Sequence, residues 1–237
     1  SNSVVLFLFV MPGFIVRNNK NYSMNYNKLS FSPLLLVIIT TFVFIILNAP
    51  IIEWNKSINF PDFMSSFESW ALLKEKQLES LTIYLVSFQS LSEYIIGVIS
   101  IAIIPGFCEE YFFRGVLQKN FRLLFNNPHH AIILSALLFS AFHLQFYGFF
   151  PRFLLGVLFG YMFYWSGSLI YPVIAHALNN FFGISIFYAA SNGLFGEGFD
   201  LSVNSSPDIP ISILIFSFFL FCFLLLRTKK QLNKVNE

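Results

Sequence analysis

Long runs of apolar residues without formal charge dominate this sequence. Residues 31–52 form one such run, and residues 153–196 contain no Asp, Glu, Lys or Arg at all. A helix needs about 20 residues to cross the hydrocarbon core of a bilayer. We therefore predict one membrane span within 31–52 and two within 153–196, divided at residues 166–168. A last span is predicted at 211–226.

The segments between these runs are mixed. Residues 54–79 carry charges, but apolar side chains recur there at helical spacing: Phe67, Trp70, Ala71, Leu78, Leu81 and Leu85. This pattern predicts an amphipathic helix at the membrane interface, leading into a span at 85–104. Pro105 and Gly106 predict a break before a second apolar segment at 107–125. A turn at 126–128 and a span at 129–149 follow.

The first apolar stretch, residues 4–16, is shorter than a membrane-spanning helix requires. We expect further residues before Ser1. A signal peptide is the less favoured interpretation, because neither a basic segment nor a small-residue cleavage site is visible.

Composition narrows the class of protein. Hydrophobic residues make up 56% of the 237 residues and charged residues 11%, whereas soluble domains carry about a quarter charged. Disordered chains are charged and poor in aromatics, but this chain has 33 Phe. A net charge of +2 provides no basic face for nucleic acid, and two cysteines build no disulfide scaffold. We predict an all-α, polytopic transmembrane helical bundle of about six to eight spans around a central polar cavity.

Three regions follow from this reading. Residues 1–84 hold N-terminal spans and the amphipathic helix, residues 85–190 form the core, and residues 191–237 form a loop, the last span and a tail. The tail is basic, with Arg227, Lys229, Lys230 and Lys234. Basic flanks stay in the cytoplasm, so we predict a cytoplasmic C-terminus. A short chain of this kind fits a bacterial inner membrane, with membrane lipid as its surroundings.

Ionisable side chains inside the apolar segments are the candidate chemistry, because each costs about 2.5–3.5 kcal/mol to insert. Glu110 and Arg114 are four residues apart and can pair on one helix face. Glu109 points about 100° away and needs a partner across the bundle. His143 and His176 are the candidates for that partner, since a carboxylate beside a buried imidazole is a general-base arrangement.

His176 and Asn180 are also four residues apart, so both can donate hydrogen bonds from one face. Such a pair suits an oxygen that gains negative charge during acyl transfer. A structural alternative exists for each group: the Glu110–Arg114 pair can pin a helix, and a lone histidine is often a satisfied core residue. The convergence of these polar sites on three apolar segments favours function. Cys108 adjoins two carboxylates, which disfavours a thiolate nucleophile.

Three motifs resemble those of the CAAX protease and bacteriocin-processing (CPBP, or Abi) family. Residues 109–114 (EEYFFR) match its EExxxR motif, 139–143 (FSAFH) its FxxxH motif, and 176–180 (HALNN) its HxxxN motif. The resemblance covers residues 85–190. Together the three motifs are specific, although each alone is weak.

The resemblance implies an intramembrane endopeptidase that hydrolyses a peptide bond near the membrane. Glu109 and His143 would activate a water, His176 and Asn180 would hold the oxyanion, and Glu110 and Arg114 would orient the site. No cofactor is demanded, but a zinc ion held by Glu109, His143 and His176 would use the same residues. We lean to chemistry without a metal, because Asn180 suits an oxyanion hole better than a ligand set.

The implied partners are membrane-associated or lipidated peptides and proteins. Two alternatives remain open from the sequence. A relative on the same fold can act without proteolysis, as a membrane scaffold or bacteriocin-immunity protein. A proton-coupled carrier is disfavoured, because no paired broken helices in two related halves are visible.

Overall fold

A computed structural model describes residues 29–194 and 209–236, and these residues form helices joined by short turns. The predicted N-terminal apolar stretch and the acidic loop after residue 194 lie outside the described residues. Seven α-helices are described: α1 Phe31–Lys56, α2 Ser65–Val86, α3 Leu91–Phe125, α4 Pro128–Ala141, α5 Phe149–Ser166, α6 Ile170–Ser191 and α7 Ile211–Asn236. Short 3-10 turns occur at Asp62–Met64 and Phe146–Gly148.

Five of these segments are long and apolar enough to cross a membrane, which confirms the polytopic helical bundle. The five segments are α1, α3, α6, α7, and α5 together with the 3-10 turn before it. The predicted division at residues 166–168 is also confirmed, because Gly167 ends α5 in the left-handed conformation with φ of 64°. The division of the chain into three regions stays a prediction.

The predicted break at Pro105 and Gly106 is wrong, because α3 runs through both residues as one helix. Proline lacks the N–H that the carbonyl four residues earlier would accept. Here the preceding residues, Val98–Ile103, are wound as a π-helix, and so are Tyr111–Gln118. The wider turn accommodates the proline without ending the helix, and it leaves the acidic pair in the middle of α3.

The span predicted to begin at residue 85 begins instead at Leu91. The Ser90 hydroxyl accepts a hydrogen bond from Glu93 N at 3.2 Å, while the Glu93 carboxylate accepts from Gln89 N at 2.8 Å. This reciprocal pattern resembles a capping box, which fixes a helix start. Leu85 therefore belongs to α2, the helix predicted as amphipathic.

The bundle has two distinct ends. At one end, the start of α1 packs near the end of α7, where Val37 and Leu232 share a buried core cluster. At the other end, Asn55 of α1 donates to Phe146 O at 3.2 Å and accepts from Phe150 N at 2.9 Å. The turn between α4 and α5 therefore lies at the end opposite to the basic tail.

Candidate active site

Helix α3 brings the acidic pair against α6 through a glycine. A Cβ added at Gly106 would lie 3.0 Å from the backbone nitrogen of Ala177, closer than side chains normally approach. The absence of a side chain at this position lets the two helix backbones pack tightly. Glu109 and Glu110, one turn further along α3, consequently reach the level of His176.

Glu110 is the centre of a buried polar cluster. Its Oε1 lies 2.6 Å from Arg114 Nη1 and 2.8 Å from His176 Nδ1. Arg114 Nη2 also donates to Gly156 O of α5 at 2.8 Å. The side chains of Glu110 and Arg114 are fully buried. The predicted pair is thus present, and it joins α3 to α5 and α6.

Glu109 lies between two imidazoles, as the need for a partner across the bundle predicted. Its Oε2 is 3.9 Å from His143 Nε2 and 4.0 Å from His176 Nε2. Among the described residues this buried oxygen has no hydrogen-bond partner. The side chains of Glu109 and His143 keep 29% and 30% exposure, in contrast to Glu110. The accessible part of the site is therefore Glu109 with His143.

Both imidazoles are held by their Nδ1 atoms. His143 Nδ1 lies 2.8 Å from Phe139 O, and His176 Nδ1 lies 2.8 Å from the Glu110 carboxylate. Acceptors at Nδ1 place a proton there, which assigns the tautomer and orients each ring. In the neutral rings, Nε2 then carries the lone pair that faces Glu109.

Aromatic side chains form the walls of the site. Phe159 of α5 stacks on the His176 ring at 5.2 Å, with 19° between the planes. The Phe139 ring lies edge-on to His143 and His176, and the Arg114 guanidinium lies 4.7 Å from its centroid. Phe139 thus serves the site twice: its backbone carbonyl orients His143, and its ring packs against both imidazoles and the guanidinium.

Asn180 lies one turn beyond His176 on α6 and is anchored to α3. Its Nδ2 donates to Ile101 O at 3.4 Å, and its Oδ1 accepts from Asn179 Nδ2 at 3.3 Å. Ile101 is four residues before Pro105, which has no N–H to offer that carbonyl. The Asn180 amide thus compensates for the proline and is fixed in orientation by Asn179.

The turn after α4 carries His143, so the expectation that this histidine lies within a span at 129–149 is wrong. Helix α4 ends at Ala141, and Leu144 adopts the left-handed conformation with φ of 55°. That conformation is uncommon for a residue other than glycine. It turns the chain directly after His143, in a segment that we call the α4–α5 loop (residues 142–148).

A second polar network holds the α4–α5 loop. Gln145 Nε2 donates to Glu75 Oε1 of α2 at 3.2 Å, and Gln145 Oε1 accepts from Arg152 Nη2 of α5. Arg152 interacts electrostatically with both Glu75 and Glu109. Burial raises the pKa of the Glu75 carboxyl, an effect larger than the opposing one of the Arg152 charge.

Sequence reasoning missed this second network. Arg152 is the only lysine or arginine between residues 122 and 227, a signal that an apolar segment holds it for a reason. Glu75 and Gln145 carried no comparable signal, because Glu75 is one of several charges on α2. Their association depends on the tertiary packing of α2 against the loop.

The types of donor atom and the distances between them decide whether Glu109, His143 and His176 could hold a zinc ion. Two imidazole Nε2 atoms and a carboxylate are ligands that catalytic zinc prefers, and tetrahedral ligands lie about 3.4 Å apart. The separations of 3.9 and 4.0 Å from Glu109 are wider. Within residues 29–194 and 209–236, no group of His, Cys, Asp or Glu is arranged to hold a metal ion. The donor types suit zinc, but their placement among the described residues does not fit it.

The fold and the site define a polytopic membrane protein with a carboxylate–imidazole site among its helices. A protein-family model described as type II CAAX prenyl endopeptidase Rce1-like matches residues 91–182. This range contains all three motifs and confirms the resemblance to the CAAX protease family that was inferred from them. Comparison with curated proteins and with solved structures gives no match.

Proposed function

We propose that this protein is an intramembrane endopeptidase that uses Glu109 to activate a water. The observation that carries the proposal is the position of Glu109 Oε2, a buried oxygen without a hydrogen-bond partner among the described residues. It faces the Nε2 atoms of His143 and His176. The proposal places the attacking water between these three groups, where the carboxylate can remove its proton as a general base.

The proposed reaction begins when Glu109 removes a proton from this water, with His143 Nε2 accepting its second hydrogen bond. The resulting hydroxide attacks the carbonyl carbon of the scissile peptide bond. Glu109 then passes its proton to the leaving nitrogen as the C–N bond breaks. The products are a new carboxylic acid and a new amine, the acid passes its proton to the amine, and Glu109 is ionised again.

His176 and Asn180 are proposed to stabilise the oxyanion of the tetrahedral intermediate. In its protonated form His176 donates from Nε2, while the Glu110 carboxylate fixes its ring through Nδ1. The Asn180 amide has two N–H groups, of which one reaches Ile101 O. Donors held before the reaction stabilise developing charge without reorganisation. Glu110 and Arg114 are positioning residues, because their full burial keeps them from substrate.

The proposed substrate is a membrane-associated or lipidated peptide, since the matching family is described as a type II CAAX prenyl endopeptidase. The basic residues of the α7 tail favour a cytoplasmic C-terminus. The proposed membrane is a bacterial inner membrane. With that orientation, the α4–α5 loop and α2 face the extracytoplasmic side. A non-proteolytic scaffold or immunity protein is the alternative, and the accessible Glu109–His143 pair favours the enzyme.

A peptide panel tests the proposed activity. Purified protein in detergent would be incubated with quenched peptides, prenylated and plain, with and without a zinc chelator, and mass spectrometry would identify the bond cleaved. We expect cleavage that persists in chelator. Loss of cleavage with chelator, restored by added zinc, would replace the proposed mechanism by a metal-dependent one. No cleavage of any peptide by folded protein would favour the scaffold.

A further inference from the structure

A second polar cavity lies at the opposite end of the bundle from the α4–α5 loop. It has a volume of about 580 Å³ and lies between the ends of α3, α5 and α7 and the start of α4. Its cationic and aromatic lining residues are Arg122, His129, Tyr161, Tyr164, Trp165 and Lys229. We call this cavity the basic pocket.

Among the described residues, no acidic side chain near the basic pocket balances its positive charge. Residues 111–194 and 209–236 contain no Asp or Glu, so none of the four helices that line the pocket brings a carboxylate to it. Neither Arg122 nor Lys229 has a carboxylate within 4.0 Å among the described residues. Lys119, one turn before Arg122 on α3, adds to the positive charge near the pocket. An anion is the ligand that this charge pattern favours.

The remaining polar lining groups can donate hydrogen bonds. The Arg122 guanidinium lies over the Tyr164 ring at 5.6 Å, and His129 Nδ1 lies 2.8 Å from Tyr161 OH. Asn233 and Asn236 of α7 supply side-chain amides. Tyrosine and tryptophan are enriched where membrane meets water, so these residues place the pocket at headgroup level.

We propose that the basic pocket binds a phosphate group, supplied either by the headgroup of an anionic phospholipid or by a soluble phosphate ester. Basic pockets between transmembrane helices recognise phospholipid headgroups through such charges. The bidentate guanidinium and the point charge of lysine are the two side chains best suited to phosphate. A cavity of about 580 Å³ has room for a glycerophosphate group. This site is separate from Glu109 and does not depend on proteolysis.

Binding by the full-length chain in neutral maltoside detergent tests the proposal. The probes are dihexanoyl phosphatidylglycerol, dihexanoyl phosphatidylcholine and glycerol 1-phosphate, with Kd measured by calorimetry. We expect phosphatidylglycerol to bind at least tenfold more tightly than phosphatidylcholine. Arg122→Gln and Lys229→Gln should each weaken it about fivefold, the contribution of one basic side chain near a headgroup. Lys230→Gln, one residue away and outside the pocket lining, should change Kd less than twofold.

The probes distinguish the two sources of phosphate. Tighter binding of phosphatidylglycerol than of glycerol 1-phosphate assigns the pocket to lipid, whereas equal binding assigns it to a soluble phosphate ester. Unchanged binding in both Arg122→Gln and Lys229→Gln would overturn the proposal, as would an equal loss in Lys230→Gln. Each variant is first checked for wild-type thermal unfolding. If Arg122→Gln is unfolded, the test uses Lys229→Gln, because Lys229 is exposed and its substitution is less disruptive to the fold.

Discussion

Glu110→Gln removes the charge at the centre of the buried cluster and should destabilise the protein strongly. The substitution keeps the size of the side chain but leaves the Arg114 guanidinium buried without its carboxylate, which lies 2.6 Å away in the wild type. At an effective dielectric constant of about 20, two unit charges about 4 Å apart attract each other by about 4 kcal/mol. Removing one partner of a buried pair costs about 3–5 kcal/mol in measured cases.

The free energy of unfolding would be measured by titration with dodecyl sulfate, followed by circular dichroism. We expect Glu110→Gln to lower it by about 3–5 kcal/mol. Glu110→Gln combined with Arg114→Met should lose less than Glu110→Gln alone, because no unpaired charge remains buried. The exposed pair Lys56–Glu53 on α1 is the matched control. Glu53→Gln should cost less than about 1 kcal/mol.

A loss below about 1 kcal/mol in Glu110→Gln would refute this reasoning. The reasoning would also be refuted if the double variant had no higher free energy of unfolding than Glu110→Gln alone. Either outcome would mean that Arg114 is stabilised mainly by Gly156 O and the aromatic walls, and that Glu110 serves only to orient His176.

Three further predictions address the site and the orientation of the chain. Asn180→Ala should lower kcat by about 10²–10³-fold with little change in KM, as loss of an oxyanion donor does; an unchanged kcat would remove Asn180 from the mechanism. Glu75→Ala should lower kcat at least about tenfold by releasing the α4–α5 loop. Glu79→Ala, one turn further along α2, should keep kcat within twofold of wild type, and equal effects of the two changes would exclude a specific role for the Glu75–Gln145 contact. In cells, a cysteine introduced at Lys234 should be shielded from a membrane-impermeant thiol reagent and one at Ser69 should react, and the reverse pattern would invert the proposed orientation.

The helical content and the polar pairs were predictable from the sequence because both depend on local spacing. Glu110 and Arg114 share a helix face at any position in a bundle, so their pairing required no tertiary information. The position of Glu109 opposite two imidazoles was predictable in kind, since a carboxylate in an apolar segment needs a partner. The distances of 3.9 and 4.0 Å were not, because they depend on how closely α3 packs at Gly106.

The features that sequence reasoning misplaced have a common cause, which is local strain compensated by tertiary contacts. Pro105 predicts a break when considered alone, but π-helical winding and the Asn180 amide accommodate it. Leu144 gives no turn signal, yet the network of Gln145 with α2 and α5 holds it in the left-handed conformation and takes His143 out of the helix. Such compensation involves residues far apart in sequence, which hydropathy and spacing do not detect.

The measurement that tests the central claim most directly is the cleavage rate of Glu109→Gln beside wild type and Glu93→Gln. Glu93 lies on the same helix but at its exposed start, where its carboxylate only accepts from Gln89 N. We predict that Glu109→Gln loses at least about 100-fold in kcat, the contribution of a general base, with the wild-type free energy of unfolding. Glu93→Gln should retain the wild-type rate. Cleavage by Glu109→Gln at the wild-type rate would contradict the account.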